Sequence, residues 1–115
     1  MNNAPKVSPN LQKRYASLRQ SLARIGYISD GSVLDRATLR PPRTGYQWTR
    51  KVGQKTVTVA LSAEQFEGMK KAVQNGRRLR KTIRAMEALS RQILFAATPD
   101  TQRFKPLKTR DLRLI

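Results

Sequence analysis

From Tyr46 to Leu61 the chain alternates apolar and polar residues on both sides of a single Gly53-Gln54 pair. Alternation is the period of a strand, and a Gly-X pair between two β-rich runs signals a two-residue hairpin turn. Placing Val52 opposite Lys55 sets Arg50 against Val57, Trp48 against Val59 and Tyr46 against Leu61. The other face then holds Gln47 with Ala60, Thr49 with Thr58, and Lys51 with Thr56. One face is mostly apolar and aromatic, the other mostly polar. A slip of one residue would mix them, so the sorting selects this register. The apolar face is expected to be core, with Trp48 as a structural residue.

Helices flank the hairpin. Ser8-Pro9 reads as an N-cap followed by proline at the first helical position. Leu11, Tyr15, Leu18, Leu22 and Ile25 then form one apolar stripe. Gly26 stands where such a helix stops, with Tyr27 or Ile28 placed to close the cap contact. Ser29-Asp30-Gly31 is a turn, Ser32 to Arg40 a weak strand candidate, and Pro41 to Gly45 a loop. Ser62-Ala63-Glu64-Gln65 has the pattern of a capping box. The helical pattern it opens runs to about Phe95, with Leu79, Ile83, Met86, Ser90, Ile93 and Leu94 on one face. Before Asn75-Gly76, Phe66, Met69 and Val73 point in a rotated direction, so a kink or two helices are expected there. The resulting architecture is α+β: an N-terminal helix, a small antiparallel sheet, a long or kinked C-terminal helix and a basic tail. Residues 1–8 are read as a flexible lead, 9–96 as one domain with one core, and 97–115 as an extended tail.

Charge decides the class of partner. Lys and Arg number 24 against 7 Asp and Glu, a net charge of +17 with a pI near 11.6, and there is no His and no Cys. The last absence excludes the ordinary zinc, haem and iron–sulfur sites, thiol nucleophiles, a Ser-His-Asp triad and disulfides. So strong a single-sign field repels itself and calls for a polyanion, most commonly nucleic acid. No run reaches the length needed to span a bilayer, and Met1 to Pro9 has no apolar leader. The expectation is a cytoplasmic protein, nucleoid-associated if it binds DNA, with no membrane partner.

Three constellations could hold nucleic acid. Lys70, Lys71, Arg77, Arg78, Arg80, Lys81, Arg84 and Arg91 crowd one helical stretch in which Glu87 is the one acid. Surface helices ordinarily interleave signs, because opposite charges one turn apart stabilise and like charges do not. Phosphates lying along the helix would relieve that repulsion. The polar hairpin face, Gln47, Thr49, Lys51, Thr56 and Thr58, has the donors and acceptors of a two-stranded ribbon in a major groove. Arg103, Lys105, Lys108, Arg110 and Arg113 make the tail a phosphate-tracking arm, and its end, Leu112, Leu114 and Ile115, suits a protein contact. Catalysis is not expected. Asp30 and Asp35 are the one close pair of acids in an irregular segment, and capping explains Glu64 and Glu67. No cofactor is expected.

Leu18 to Arg36, the run Gly45-Tyr46-Gln47-Trp48-Thr49-Arg50-Lys51-Val52, the Gly-x-Lys-Thr hairpin and the helix ending LSRQILF together resemble a family of small, uncharacterised bacterial proteins encoded beside transposases. Many members carry a cysteine cluster before the aromatic strand. Here Leu39 to Gly45 has none, so no metal role carries over. The resemblance implies a mobile-element setting and no catalytic residues. The expected function is non-catalytic binding of nucleic acid, DNA before RNA, as an accessory to a transposase or similar machine. The other reading is a structural subunit of a ribonucleoprotein.

Overall fold

The structure is a computed structural model describing residues 8–97. In chain order it has α1 (Pro9–Leu22), β1 (Ser32–Asp35), a short 3-10 helix (Arg36–Thr38), β2 (Tyr46–Val52), β3 (Lys55–Leu61) and α2 (Ala63–Ala97). The fold is α+β, and the sheet is antiparallel in the order β1-β2-β3. The cationic tail and the first residues of the lead lie outside the described residues. Two compact units divide the chain: Ile25–Arg80, and Met1–Arg24 with Lys81–Ile115.

In the first unit the hairpin has the expected register, from Val52 with Lys55 to Tyr46 with Leu61. Gly53 takes φ +65 while Gln54 stays at negative φ, the pattern of a type II′ turn. The mixed segment after Gly31 resolves into β1 over its first four residues, pairing Val33 with Trp48 and Asp35 with Tyr46. Asp35 then ends the strand, its side chain accepting from the Ala37 amide at 3.0 Å. The capping box is complete. Ser62 Oγ accepts from the Gln65 amide at 3.1 Å, and Gln65 Oε1 accepts from the Ser62 amide at 2.9 Å.

The helix begun there corrects the expectation of a break, because α2 runs unbroken through Asn75-Gly76 to Ala97. Those residues serve a contact. The Ser29 amide donates to the Ala72 carbonyl at 2.9 Å, and Asn75 Nδ2 donates to the Tyr27 carbonyl at 3.0 Å. A Cβ on Gly76 would collide with the Ser29 carbonyl oxygen. Glycine lets the 27–29 strand of chain lie against the helix. The two rotated apolar sets belong to different units. Val73, 3% exposed, and Phe66, stacked on Tyr46 with ring centroids 4.4 Å apart, belong to the sheet's unit. Leu89, also 3% exposed, belongs to the other unit.

The apolar hairpin face is only partly covered. β3 lies at the edge of the sheet, and Val57 and Val59 remain 39% and 42% exposed. Trp48 is half-buried, and its Nε1 donates to the Asp30 carbonyl at 2.9 Å. Truncating a fully buried Trp costs about 3–5 kcal/mol. For this half-covered ring we expect Trp48→Ala to cost about 2 kcal/mol, read as a lower urea midpoint of a variant that still folds. If the variant keeps its midpoint and loses single-strand binding, the ring stacks on bases instead.

In the second unit the α1 stripe from Leu11 to Leu22 is half-buried throughout. Leu22 shares a groove with Ile83 and Met86, and Gln12 shares one with Ile93 and Leu94, so α1 runs antiparallel to this part of α2. Ser8 is the N-cap and Pro9 opens the helix. The far end differs from expectation. α1 stops at Leu22, closed by Ala23 and Arg24 amides donating back three residues. Gly26 is not among the positive-φ glycines, and Tyr27 is 93% exposed rather than folded into a cap. The anchoring of residues 27–29 on α2 takes the chain away from a cap geometry.

Candidate nucleic-acid interface

The interface is built on α2. In the sheet's unit, Lys70, Lys71, Arg77, Arg78 and Arg80 are all exposed. The turns that carry them bury Ala72, Val73 and Gly76; Lys70, Lys71, Arg77 and Arg78 lie outside that arc, while Arg80 reaches over Gly76. In the other unit, Lys81 and Arg84 are exposed on the side of α2 away from Met86, Leu89 and Ile93, while Arg91 is half-buried at a groove edge with Tyr15 and Ser90. Among the described residues, none of Lys70, Lys71, Arg77, Arg78, Arg80, Lys81 and Arg84 forms an ion pair. Glu67 lies one turn before Lys70 and Lys71 and Glu87 one turn after Arg84, but the cations between them, Arg77 to Lys81, have only like-charged ionic neighbours one turn away, an electrostatic cost that packing and the cap of α2 offset.

The hairpin's polar face is partly engaged by the sheet itself. Gln47 Oε1 accepts from Arg36 Nε at 3.2 Å, and the Thr49 and Thr58 hydroxyls lie 3.3 Å apart. Lys51 and Thr56 are exposed and take no part in these bonds. Such pre-ordering holds the groups in place before a ligand arrives. The cross-strand hydroxyl pair can still accept or donate outward, since each hydroxyl has one hydrogen and two lone pairs.

One part of this surface escaped the sequence reading. Arg36 Nε donates to Gln47 Oε1 at 3.2 Å, which adds Arg36 to the polar face, and the Arg43 amide donates to the Arg36 carbonyl at 3.1 Å, which closes the loop that also carries Arg40. The available signal was the run Arg40-Pro41-Pro42-Arg43, whose prolines hide a closed loop in an apparently extended segment. The acids have structural partners. Asp30 pairs with Arg50 at 3.6 Å, and Asp35 caps the 3-10 helix. Among the described residues no helix is long and apolar enough to cross a membrane. The tail candidates Arg103, Lys105, Lys108, Arg110 and Arg113 lie outside the described residues.

Comparison with family models, with curated proteins and with solved structures finds no match to this chain.

Proposed function

We propose that this chain is a non-catalytic nucleic-acid-binding protein whose ligand is duplex DNA, acting as an accessory to transposase-like machinery. The observation that carries the binding is the row of exposed, unpaired cations on α2 from Lys70 to Arg84, on a chain of net charge +17. An anionic rod laid along such a helix exchanges condensed counterions for ammonium and guanidinium groups, and that release drives binding. The polar sheet face with Arg36, Arg40 and Arg43 supplies orientation on the duplex. The mobile-element setting rests on the sequence resemblance alone.

The test compares ligands after removal of co-purified nucleic acid. Fluorescence anisotropy is expected to show duplex DNA bound at least about as tightly as structured RNA of equal phosphate count, with phosphate neutralisation as the shared driving term. A clear preference for RNA, together with co-purifying absorbance lost to RNase and not DNase, would move the chain to a ribonucleoprotein. Binding to neither would end the proposal.

A further inference from the structure

We infer that β3 is a self-complementary docking edge, through which a second copy of this chain extends the sheet from three strands to six. Hydrogen-bond parity decides which backbone groups of β3 face outward. In a two-residue hairpin the residues flanking the turn, here Val52 and Lys55, form a hydrogen-bonded pair. The alternation that follows directs the amides and carbonyls of Lys55, Val57, Val59 and Leu61 toward β2. Those of Thr56, Thr58 and Ala60 therefore face outward, along a strand that lies at the sheet edge.

An antiparallel two-fold centred on Thr58 satisfies all of them. Thr58 meets Thr58 of the second copy, Thr56 meets Ala60, and Val57 meets Val59. The outward residues are then the hydrogen-bonded pairs of the new ladder, as parity requires. On the other face the half-exposed Val57 and Val59 cover one another across the junction. β3 also carries few of the devices that blunt a sheet edge: it reads KTVTVAL, with no proline, no glycine and a single charge, Lys55, at its first position. The opposite edge, β1, is four residues long, carries Asp35 and runs straight into a 3-10 helix.

Charge restricts where two copies can meet. Two copies of net charge +17 repel, so they can meet only along a strip poor in cations, and β3 is such a strip. In this register the two Lys55 residues stand about 20 Å apart, beyond a Debye length of about 8 Å at physiological ionic strength. Screening by salt should therefore strengthen the pairing. Binding to nucleic acid has the opposite sign, so the two proposals fail separately.

The chain has no cysteine, which makes single-cysteine reporters clean. The experiment uses the full chain freed of nucleic acid. Sedimentation velocity is expected to show a dimer fraction that rises with sodium chloride. Thr58→Cys should form an interchain disulfide on mild oxidation, since facing residues of a hydrogen-bonded pair have Cα atoms about 5.5 Å apart, within disulfide reach. Thr56→Cys and Ala60→Cys should each cross-link at least about tenfold more slowly, because each meets its own copy about 14 Å away. The double variant with both cysteines should cross-link readily. Thr58→Pro, which removes an outward amide and no β2 bond, should stay folded and sediment as a monomer. A monomer at every salt concentration, or equal cross-linking at Cys positions 56, 58 and 60, would overturn the inference.

Discussion

Between about 50 and 200 mM salt, the affinity of this chain for duplex DNA should fall by about three to four orders of magnitude. Neutralising about six to eight phosphates gives a slope of log K against log salt of roughly −5 to −7. The count comes from α2, where Lys70, Lys71, Arg77, Arg78, Arg80, Lys81 and Arg84 have no ion-pair partner among the described residues and so exchange counterions alone. Replacing Arg77, Lys81 and Arg84 with Gln should flatten that slope by about 2 to 3 and weaken every duplex alike, since phosphate contacts read no sequence. The helical signal of the same variant should hold or rise, because like-charge repulsion along α2 is relieved. Isothermal titration at four salt concentrations, with circular dichroism on both proteins, gives both readouts. A wild-type slope shallower than about −2, or an unchanged slope in the variant, would remove α2 as the phosphate-contacting element.

The parts of this fold that were legible in the sequence are those specified by residues close in the chain. The hairpin register follows from alternation around Gly53-Gln54, and the capping box from Ser62 and Gln65 three residues apart. The cation row is legible for the same reason, because helical spacing alone shows that nothing interleaves it. What misled was Asn75-Gly76. Both residues weaken an isolated helix, but their purpose is set by a partner distant in sequence: Asn75 bonds the Tyr27 carbonyl 48 positions away, and Gly76 makes room for Ser29. No local pattern separates a glycine that breaks a helix from one that admits a neighbour. Arg36 beside Gln47 was missed because the loop that follows it is closed by backbone bonds, which leave no trace in side-chain identity.

Gly68 and Gly76, the two glycines of α2, turn that difference into a measurement. Gly68 and Gly76 both lie inside the helix, and on propensity alone alanine at either should stabilise by about 0.5–1 kcal/mol. Around Gly68 a Cβ would meet nothing within 4 Å, so Gly68→Ala should realise that gain as a higher urea midpoint. At Gly76 the same methyl would strike the Ser29 carbonyl oxygen, a backbone atom held in place by the Ser29 amide bond to Ala72 at 2.9 Å. The clash cannot be relieved by turning a side chain. It must displace the 27–29 segment and weaken the bonds from Asn75 and Ser29, an overpacking cost of about 1–3 kcal/mol or more. Gly76→Ala should therefore fall below wild type while Gly68→Ala rises above it; the propensity gain is common to both, so the two variants are separated by the overpacking cost, about 1–3 kcal/mol or more in equilibrium unfolding. Amide exchange should localise the loss, with faster exchange at Ser29, whose amide donates to the Ala72 carbonyl, and little change on β2 and β3. If Gly76→Ala instead stabilises like Gly68→Ala, the close approach of Ser29 to the helix does not exist in solution, and Gly76 returns to being a simple weak point in a long helix.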